Sequence, residues 1–290
     1  MRISLLHNPT AGDGVSFDEV NRVLRRAGYE VAREIAKASD FERVLEEPVA
    51  FVVAAGGDGT VRKAVRALAG SGMPLAVIPL GTANNIARAL GVEGLLAEVV
   101  ERWKSARHVA FDIGLARGQW GESRFLEGVG SGLVSAGIAA AEEHPQQGKE
   151  DVSAALQRAL RTYAETLTRL QPRHWTGTVD GLPIDGEFLL VEILNIPSVG
   201  ANLVLGPNAD PSDGVFEVVT AGEAQRGELA DYLAARLAGE ERTLALPARR
   251  ASRVEVRGWE LMHVDDEVRK IVEAGTVTIE VDPASVSFLV

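Results

Sequence analysis

The stretch Val49-Ala50-Phe51-Val52-Val53-Ala54-Ala55-Gly56-Gly57-Asp58-Gly59-Thr60 decides how the rest of the chain is read. Its apolar opening shows no alternation, which suits a strand buried on both faces, as in a parallel sheet covered by helices. The run leads directly into Gly56, Gly57 and Gly59, and a backbone without side chains there can turn with its N–H groups bare toward an anion. Asp58 among those amides repels a phosphate unless a divalent cation or a proton transfer gives the carboxylate a role. A nucleotide phosphate with its metal is therefore one expectation, and a plain tight turn is the other.

Outward from this stretch, further strands are expected at residues 3–6, 75–78 and 108–113. Helical periodicity lies between them: Phe17, Val20, Val23, Leu24 and Ala27 share one face, as do Val61, Ala64, Val65 and Leu68. Short apolar runs alternating with amphipathic helices predict an α/β domain with a parallel sheet up to about residue 117. Three strand ends carry loops, Asn8-Pro9-Thr10-Ala11-Gly12, the Gly56–Thr60 segment, and Pro79-Leu80-Gly81-Thr82-Ala83-Asn84-Asn85. In an open α/β sheet the carboxyl ends of the strands line one crevice, so the three loops should meet. Asn8 and Thr10 offer side-chain donors, and Thr82 with Asn84 is expected to cap a helix over 83–90, leaving N–H groups for an anion.

After residue 118 turn signals become frequent and alternating strands follow, at 176–179, 188–194, 215–220, 253–256, 268–272 and 277–281. Two helices interrupt them, one over 151–170 with Val152, Leu156, Ala159, Leu160, Tyr163 and Leu167 on one face, the other over 226–237. This second domain is expected to be mostly β. Gly128, Gly130, Gly132 and Gly137 read either as a flexible wall where a lipid enters or as room for closely packed strands.

The chain has 290 residues, 46% of them hydrophobic, enough for one large or two ordinary domains. It contains no cysteine, which removes disulfides, thiolate metal sites and cysteine nucleophiles and fits a reducing cytoplasm. The N-terminus enters an apolar strand with no signal-peptide pattern and is read as mature sequence, and the uncharged run over 128–141 falls short of the roughly 18 residues of a membrane helix. A formal net charge of −11 argues against constitutive nucleic-acid binding and against general attraction to anionic bilayers. The five histidines show no metal-ligand spacing, and His7 at a strand end reads as structural.

The three loops, in this order and spacing, resemble the catalytic domain of the bacterial diacylglycerol kinase and lipid kinase family, kin to sphingosine kinases and NAD kinases. The resemblance spans essentially the whole chain. It implies an N-terminal α/β nucleotide-binding domain over 1–117, to which a last strand at about 282–290 returns, and a C-terminal β-sandwich over 118–281 carrying the lipid site and a structural metal. It implies ATP and Mg²⁺, with Asn8, Thr10, Gly56, Gly57, Asp58, Gly59, Thr60, Val61, Arg62, Gly81, Thr82 and Asn84 around the nucleotide. Two carboxylates three residues apart, Asp210 and Asp213, read as a turn or a hard-cation site; the resemblance implies Mg²⁺ on Asp210, Asp213 and the carbonyl of Val215. The family's catalytic base is the glutamate of an Asp-Gly-Glu turn. Asp185-Gly186-Glu187 matches its letters and Asp265-Asp266-Glu267 its location, and Glu267 is chosen, with Asp265 and Asp112 as support. The implied activity is transfer of phosphate from ATP to a lipid hydroxyl, most simply diacylglycerol, by a cytoplasmic protein that touches the membrane peripherally, with room for a homodimer.

Two departures from the family pattern stand out. Arg62 and Lys63 replace an Asn-Glu pair after the glycine loop, where they strengthen anion binding, mark altered chemistry or form a solvated helix face. Asp266 replaces glycine in a turn expected to need positive φ, a conformation that side chains resist. Phosphorylation of another hydroxyl, on a sphingoid base, phosphatidylglycerol or a soluble alcohol, and a non-catalytic nucleotide- or lipid-binding relative are the alternatives.

Overall fold

The computed structural model describes residues 1–290 except 37, 69, 144–149, 258–259 and 272–274, and only the backbone of 38–40, 42 and 284. The chain divides into two compact units, residues 1–112 with 283–290 and residues 113–282.

The first unit contains β1 (Arg2–His7), α1 (Phe17–Arg26), β2 (Glu30–Ile35), β3 (Phe51–Gly56), α2 (Asp58–Leu68), β4 (Leu75–Pro79), α3 (Asn85–Ala89), α4 (Leu96–Arg102) and the start of β5 (His108–Gly118). Strands β2, β1, β3 and β4 lie side by side in that order, all parallel, and Phe288 and Leu289 extend the sheet in parallel beside Leu75 and Ala76 of β4. Every residue of β3 is buried, the physical reason its sequence lacks alternation. The strand begins at Phe51, two residues later than the apolar run, because Ala50 is exposed. Ser16 caps α1 by accepting the Glu19 N–H at 3.3 Å, and Val20 and Leu24 bury its inner face. Strand β2 and helix α4 went unforeseen; the charges of Glu30, Arg33 and Glu34 break the apolar pattern of β2.

The second unit continues β5 and adds β6 (Gly121–Phe125), β7 (Gly128–Gly132), α5 (Leu133–Glu143), α6 (Val152–Arg169), β8 (Arg173–Val179), β9 (Leu182–Phe188), β10 (Leu190–Leu194), β11 (Ser198–Val199), β12 (Leu203–Val204), β13 (Phe216–Ala221), α7 (Arg226–Leu237), β14 (Ala248–Ala251), β15 (Arg253–Arg257), β16 (Leu261–Val264), β17 (Glu267–Lys270) and the start of β18 (Thr276–Leu289), whose residues from 283 on belong to the first unit. One antiparallel sheet runs β14-β13-β10-β7-β16-β17. Residues 276–280 of β18, with β15, β8 and β9, form a second antiparallel set. Alternate residues of both sheets, among them Val129, Trp175, Val191, Ile193, Phe216, Val254 and Met262, make the core of a β-sandwich. The opposite face of the six-stranded sheet is covered by α5, α6 and α7 through Leu160, Tyr163, Leu167, Leu229 and Leu233.

Several expected boundaries move. Residues 188–194 are two strands, broken at Leu189, and β18 and β5 run well past 281 and 113. The strand expected over 268–272 is β17, ending at Lys270, and Val272 lies outside the described residues. The glycine-rich stretch 128–137 is the fully buried β7 followed by the first turns of α5, so its glycines serve close packing. A Cβ on Gly137 would stand 2.3 Å from the Tyr163 ring. Helix propensity alone makes Gly→Ala worth about 1 kcal/mol of stabilisation, whereas overpacking costs about 1–3 kcal/mol. Gly137→Ala is therefore expected to lower the urea midpoint, and to become neutral or stabilising in a Tyr163→Leu background; stabilisation in the wild-type background would contradict this packing.

Candidate functional site

In the first unit the glycine segment and the loop after β4 meet backbone to backbone. Leu80 donates its N–H to the Gly56 carbonyl at 2.9 Å, and a Cβ on Gly81 would lie 2.4 Å from the Gly57 Cα. Gly81 has no room for a side chain, a Cβ on Gly57 would be tight at 3.0 Å from the Gly81 Cα, and a Cβ on Gly56 would strike the Thr60 hydroxyl at 2.3 Å. The loop is shorter than expected, because α2 already begins at Asp58 and Thr60 and Val61 both return their N–H groups to the Gly57 carbonyl. Asp58 reaches across to the other loop, its Oδ1 accepting the Ile86 N–H at 2.9 Å.

That bond corrects the expected capping by Thr82 and Asn84. Helix α3 spans only Asn85–Ala89, Asn84 sits at φ 52° and makes no side-chain cap bond, and the acceptor at the helix start is Asp58. Asn84 instead clamps the Gly81 peptide, accepting its N–H at 2.9 Å and donating to its carbonyl at 2.8 Å. In the first loop Asn8 Oδ1 accepts both the N–H and the hydroxyl of Thr10, at 3.1 and 2.8 Å, and the Asn8 N–H goes to Ala55, so these side chains shape the loop. Arg62 and Lys63 part company. Lys63 is exposed, whereas Arg62 is only 6% exposed, its guanidinium beside Gly59 and its charge acting on Asp58.

In the second unit the acidic turn joins β16 to β17, with Val264 opposite Glu267. The residue at positive φ is Asp265, at 55°, so Asp266 carries none of the strain expected of it. Asp265 is 3% exposed and its carboxylate gathers three successive backbone N–H groups, from Leu126 (3.2 Å), Glu127 (2.9 Å) and Gly128 (3.4 Å). Asp265 thus anchors the turn, leaving Glu267 half-buried next to it in an ion pair with Arg269. Glu187, the rival by its letters, is exposed on β9 opposite His174. Asp112 is buried on β5, the last residue of the first unit before the division at Ile113.

The 210–215 turn has the oxygen donors a hard cation takes. Asp210 Oδ1 accepts the N–H and hydroxyl of Ser212 at 2.9 and 2.7 Å, Asp213 Oδ1 accepts the Val215 N–H at 3.1 Å, and Asp213 Oδ2 pairs with Arg250. Mg²⁺ fits this donor set only by taking the place of the Arg250 guanidinium. Among the described residues no three His, Asp or Glu side chains cluster as metal ligands, and no helix is long and apolar enough to cross a membrane.

Sequence reasoning missed a buried polar group around the turn: Glu127, Glu192 and His263, each under 5% exposed, with Arg269 on the adjoining strand. Only a carboxylate within the otherwise apolar Leu189-Leu190-Val191-Glu192-Ile193-Leu194 hinted at it. Burial holds the Asp58 carboxyl above the ordinary aspartate range, opposed by the N–H groups of Ile86 and Asn85 and by Arg62. With the folded value raised, stability is fully present below the unfolded pKa near 3.9 and is lost as pH climbs through the folded value. Asp58→Asn, which cannot ionise and still offers Ile86 an acceptor, is expected to unfold at higher urea than wild type at neutral pH. The gap should close by about pH 3.5, below the unfolded value; equal midpoints at neutral pH would contradict the burial cost.

Residues 2–116 match the family model of the diacylglycerol kinase catalytic domain, and residues 132–290 match that of the YegS C-terminal NAD kinase beta sandwich-like domain. The chain is similar to the "Diacylglycerol kinase" of Bacillus subtilis, with 28% identity over 82% of this chain and 80% of that one. It is also similar to the "Probable lipid kinase YegS-like" protein of Pseudomonas aeruginosa, with 33% identity over 74% of this chain and 70% of that one. Its fold is that of the crystal structure of a diacylglycerol kinase from Bacillus anthracis, at TM-score 0.72 and 21% identity, covering 99% of this chain and 96% of the other. A sandwich model that takes in more than half of the chain, a catalytic-domain model over its first unit and a relative one-third identical agree, and the chain belongs to the family of diacylglycerol kinases and YegS-like lipid kinases.

Proposed function

We propose that this chain is an ATP-dependent lipid kinase that transfers the γ-phosphoryl group of ATP to a lipid hydroxyl, most simply that of a diacylglycerol. The observation that carries the reading is the cradle in which Asp58 ties the glycine segment to the loop after β4, within a stretch matched to a diacylglycerol kinase catalytic domain. We assign the nucleotide to the first unit and the lipid to the second.

Phosphoryl transfer asks for positioning and charge neutralisation more than covalent chemistry. The start of α2, at Gly57, Asp58 and Gly59, presents backbone amides to the phosphates, and Thr60, whose N–H is taken by the Gly57 carbonyl, offers its hydroxyl. Buried Arg62 adds a fixed positive charge behind them, and the loops of Asn8, Thr10, Gly81, Thr82 and Asn84 close around the nucleotide, with Val61 packed at its base. When bound, Mg²⁺ supplies further neutralisation of the phosphate oxygens; Asp58 is the carboxylate that would face it. A separate, structural Mg²⁺ would sit on Asp210, Asp213 and the Val215 carbonyl. Glu267 takes the proton of the attacking hydroxyl, and Asp265 supports it. We place the protein at the membrane surface, where its substrate resides, through local contact.

The test uses the full chain, ATP with and without Mg²⁺, and vesicles containing diacylglycerol, with sphingosine, phosphatidylglycerol and glycerol as comparison acceptors. Loss of general base catalysis is worth roughly 10²–10⁴-fold. Glu267→Gln and Asp58→Ala are each expected to lose at least about 100-fold in lipid phosphorylation on that scale, with folding intact by circular dichroism. Undiminished transfer in either variant would sink the assignment, and preferential phosphorylation of another acceptor would reassign the substrate.

A further inference from the structure

Three strands of the six-stranded sheet carry Glu192, Gly130 and His263 at one level. Gly130 of β7 is register partner to Glu192 of β10 on one side and to His263 of β16 on the other. Strands two apart in a sheet are separated by roughly 9.5 Å, twice the interstrand spacing, so side chains on the outer pair meet only if the residue between them yields the space. Gly130 yields it, since a Cβ there would lie 2.2 Å from the Glu192 carboxylate. Over it, Glu192 Oε2 and His263 Nε2 stand 2.8 Å apart, both residues 0% exposed.

The other ring nitrogen fixes the tautomer. His263 Nδ1 lies 2.8 Å from the Asp265 carbonyl oxygen, which only accepts, so Nδ1 carries a proton and donates it. One more proton is held between Nε2 and Oε2. The imidazole therefore links β10 to the backbone of the residue at positive φ, two positions before Glu267. A buried ionisable pair is rarely worth its desolvation as stability alone, and its best-attested use is to fix one arrangement against others.

We propose that Glu192 and His263 are positioning residues, a clasp across Gly130 that fixes the Asp265 turn and with it the carboxylate of Glu267. The consequence for catalysis rests on the kinase reading above; the clasp itself does not. It holds the turn through the Asp265 carbonyl, while the N–H groups of Leu126, Glu127 and Gly128 hold the Asp265 carboxylate. Glu267, paired with Arg269 on its own strand, directly follows the turn in the chain. Glu192 Oε1 has no hydrogen-bond partner, as expected of a carboxylate held for its geometry and not for full satisfaction. Tyr163 of α6 sits near it, its phenol pushed up by burial and by the Glu192 and Glu127 charges, and so remains a neutral wall.

The experiment compares wild type with Glu192→Ala, Glu192→Gln, His263→Gln and the double variant Glu192→Ala/His263→Gln, all confirmed folded by circular dichroism. The readouts are kcat and KM for ATP and diacylglycerol, and amide hydrogen exchange over 264–268. The expected result is a kcat loss of about tenfold or more in Glu192→Ala and His263→Gln with KM within about twofold, most of it restored in Glu192→Gln, and a double variant no worse than the stronger single one, as for groups acting as a unit. Exchange in the turn should quicken about tenfold while β1, β3 and β4 stay unchanged, as for a local opening. Unchanged kcat, multiplicative losses or unaltered turn exchange would overturn the proposal. If wild type phosphorylates none of the acceptors, the kinase reading fails and the clasp is judged on exchange. If the variants do not fold, the ¹⁵N spectrum of the wild-type imidazole decides: a protonated Nδ1 with a slowly exchanging proton supports the clasp, and a bare Nδ1 refutes it.

Discussion

One carboxylate, Asp58, accepts the backbone N–H of Ile86 across 2.9 Å and so joins the ends of two adjacent parallel strands. The bond is reachable because Gly57 and Gly81 let the two backbones touch, with no space for a Cβ on Gly81 and little on Gly57. It also determines what each segment can do. Asp58 fills the start of α3 by accepting the Ile86 N–H, and α2 opens directly from the glycine segment. Arg62, buried beneath the same loop, answers the charge that Asp58 brings. The family departure at Arg62 and Lys63, which the sequence leaves open between anion binding, altered chemistry and a solvated face, is one buried arginine and one exposed lysine.

The second unit uses glycine for a related purpose. In β7 the missing side chain at Gly130 lets groups from two flanking strands meet, and in α5 the missing side chain at Gly137 admits the ring of Tyr163. Both units thus place a titratable group where burial disfavours its charge, Asp58 in one and Glu192 in the other. Sites of that kind trade stability for a fixed arrangement of chemistry. The cost is tolerable because the groups adjoin or sit on fully buried strands: Asp58 opens α2 just after β3, and Glu192 lies within β10.

Much of this architecture is legible in the residues. The unalternating apolar run before Gly56 describes a strand covered on both faces, the 3.6-residue spacing in 152–167 describes α6, and Arg226–Leu237 is a helix end to end. What escaped is physical in origin. Strand β2 lies at a sheet edge and carries three charges, which erases its period. Asn84 has the composition of a cap but adopts a left-handed conformation and turns its amide on Gly81, an outcome of the close approach to Gly57 that no local pattern encodes. Asp266 seemed a strained substitution because the positive φ was assigned to the wrong residue of the pair. The Glu192–His263 contact joins residues 71 positions apart and needs the register of three strands before it can be seen.

The central claim is that residues 56–60 and 81–86 act as a single phosphate cradle tied by Asp58. Backbone amide exchange of the full chain, with and without saturating ATP and Mg²⁺, reads both segments in one measurement. Nucleotide should protect the two segments together, and in Asp58→Ala, where the tie to Ile86 is gone, the joint protection should be lost. Protection of one segment without the other, or joint protection that survives in Asp58→Ala, would contradict the account.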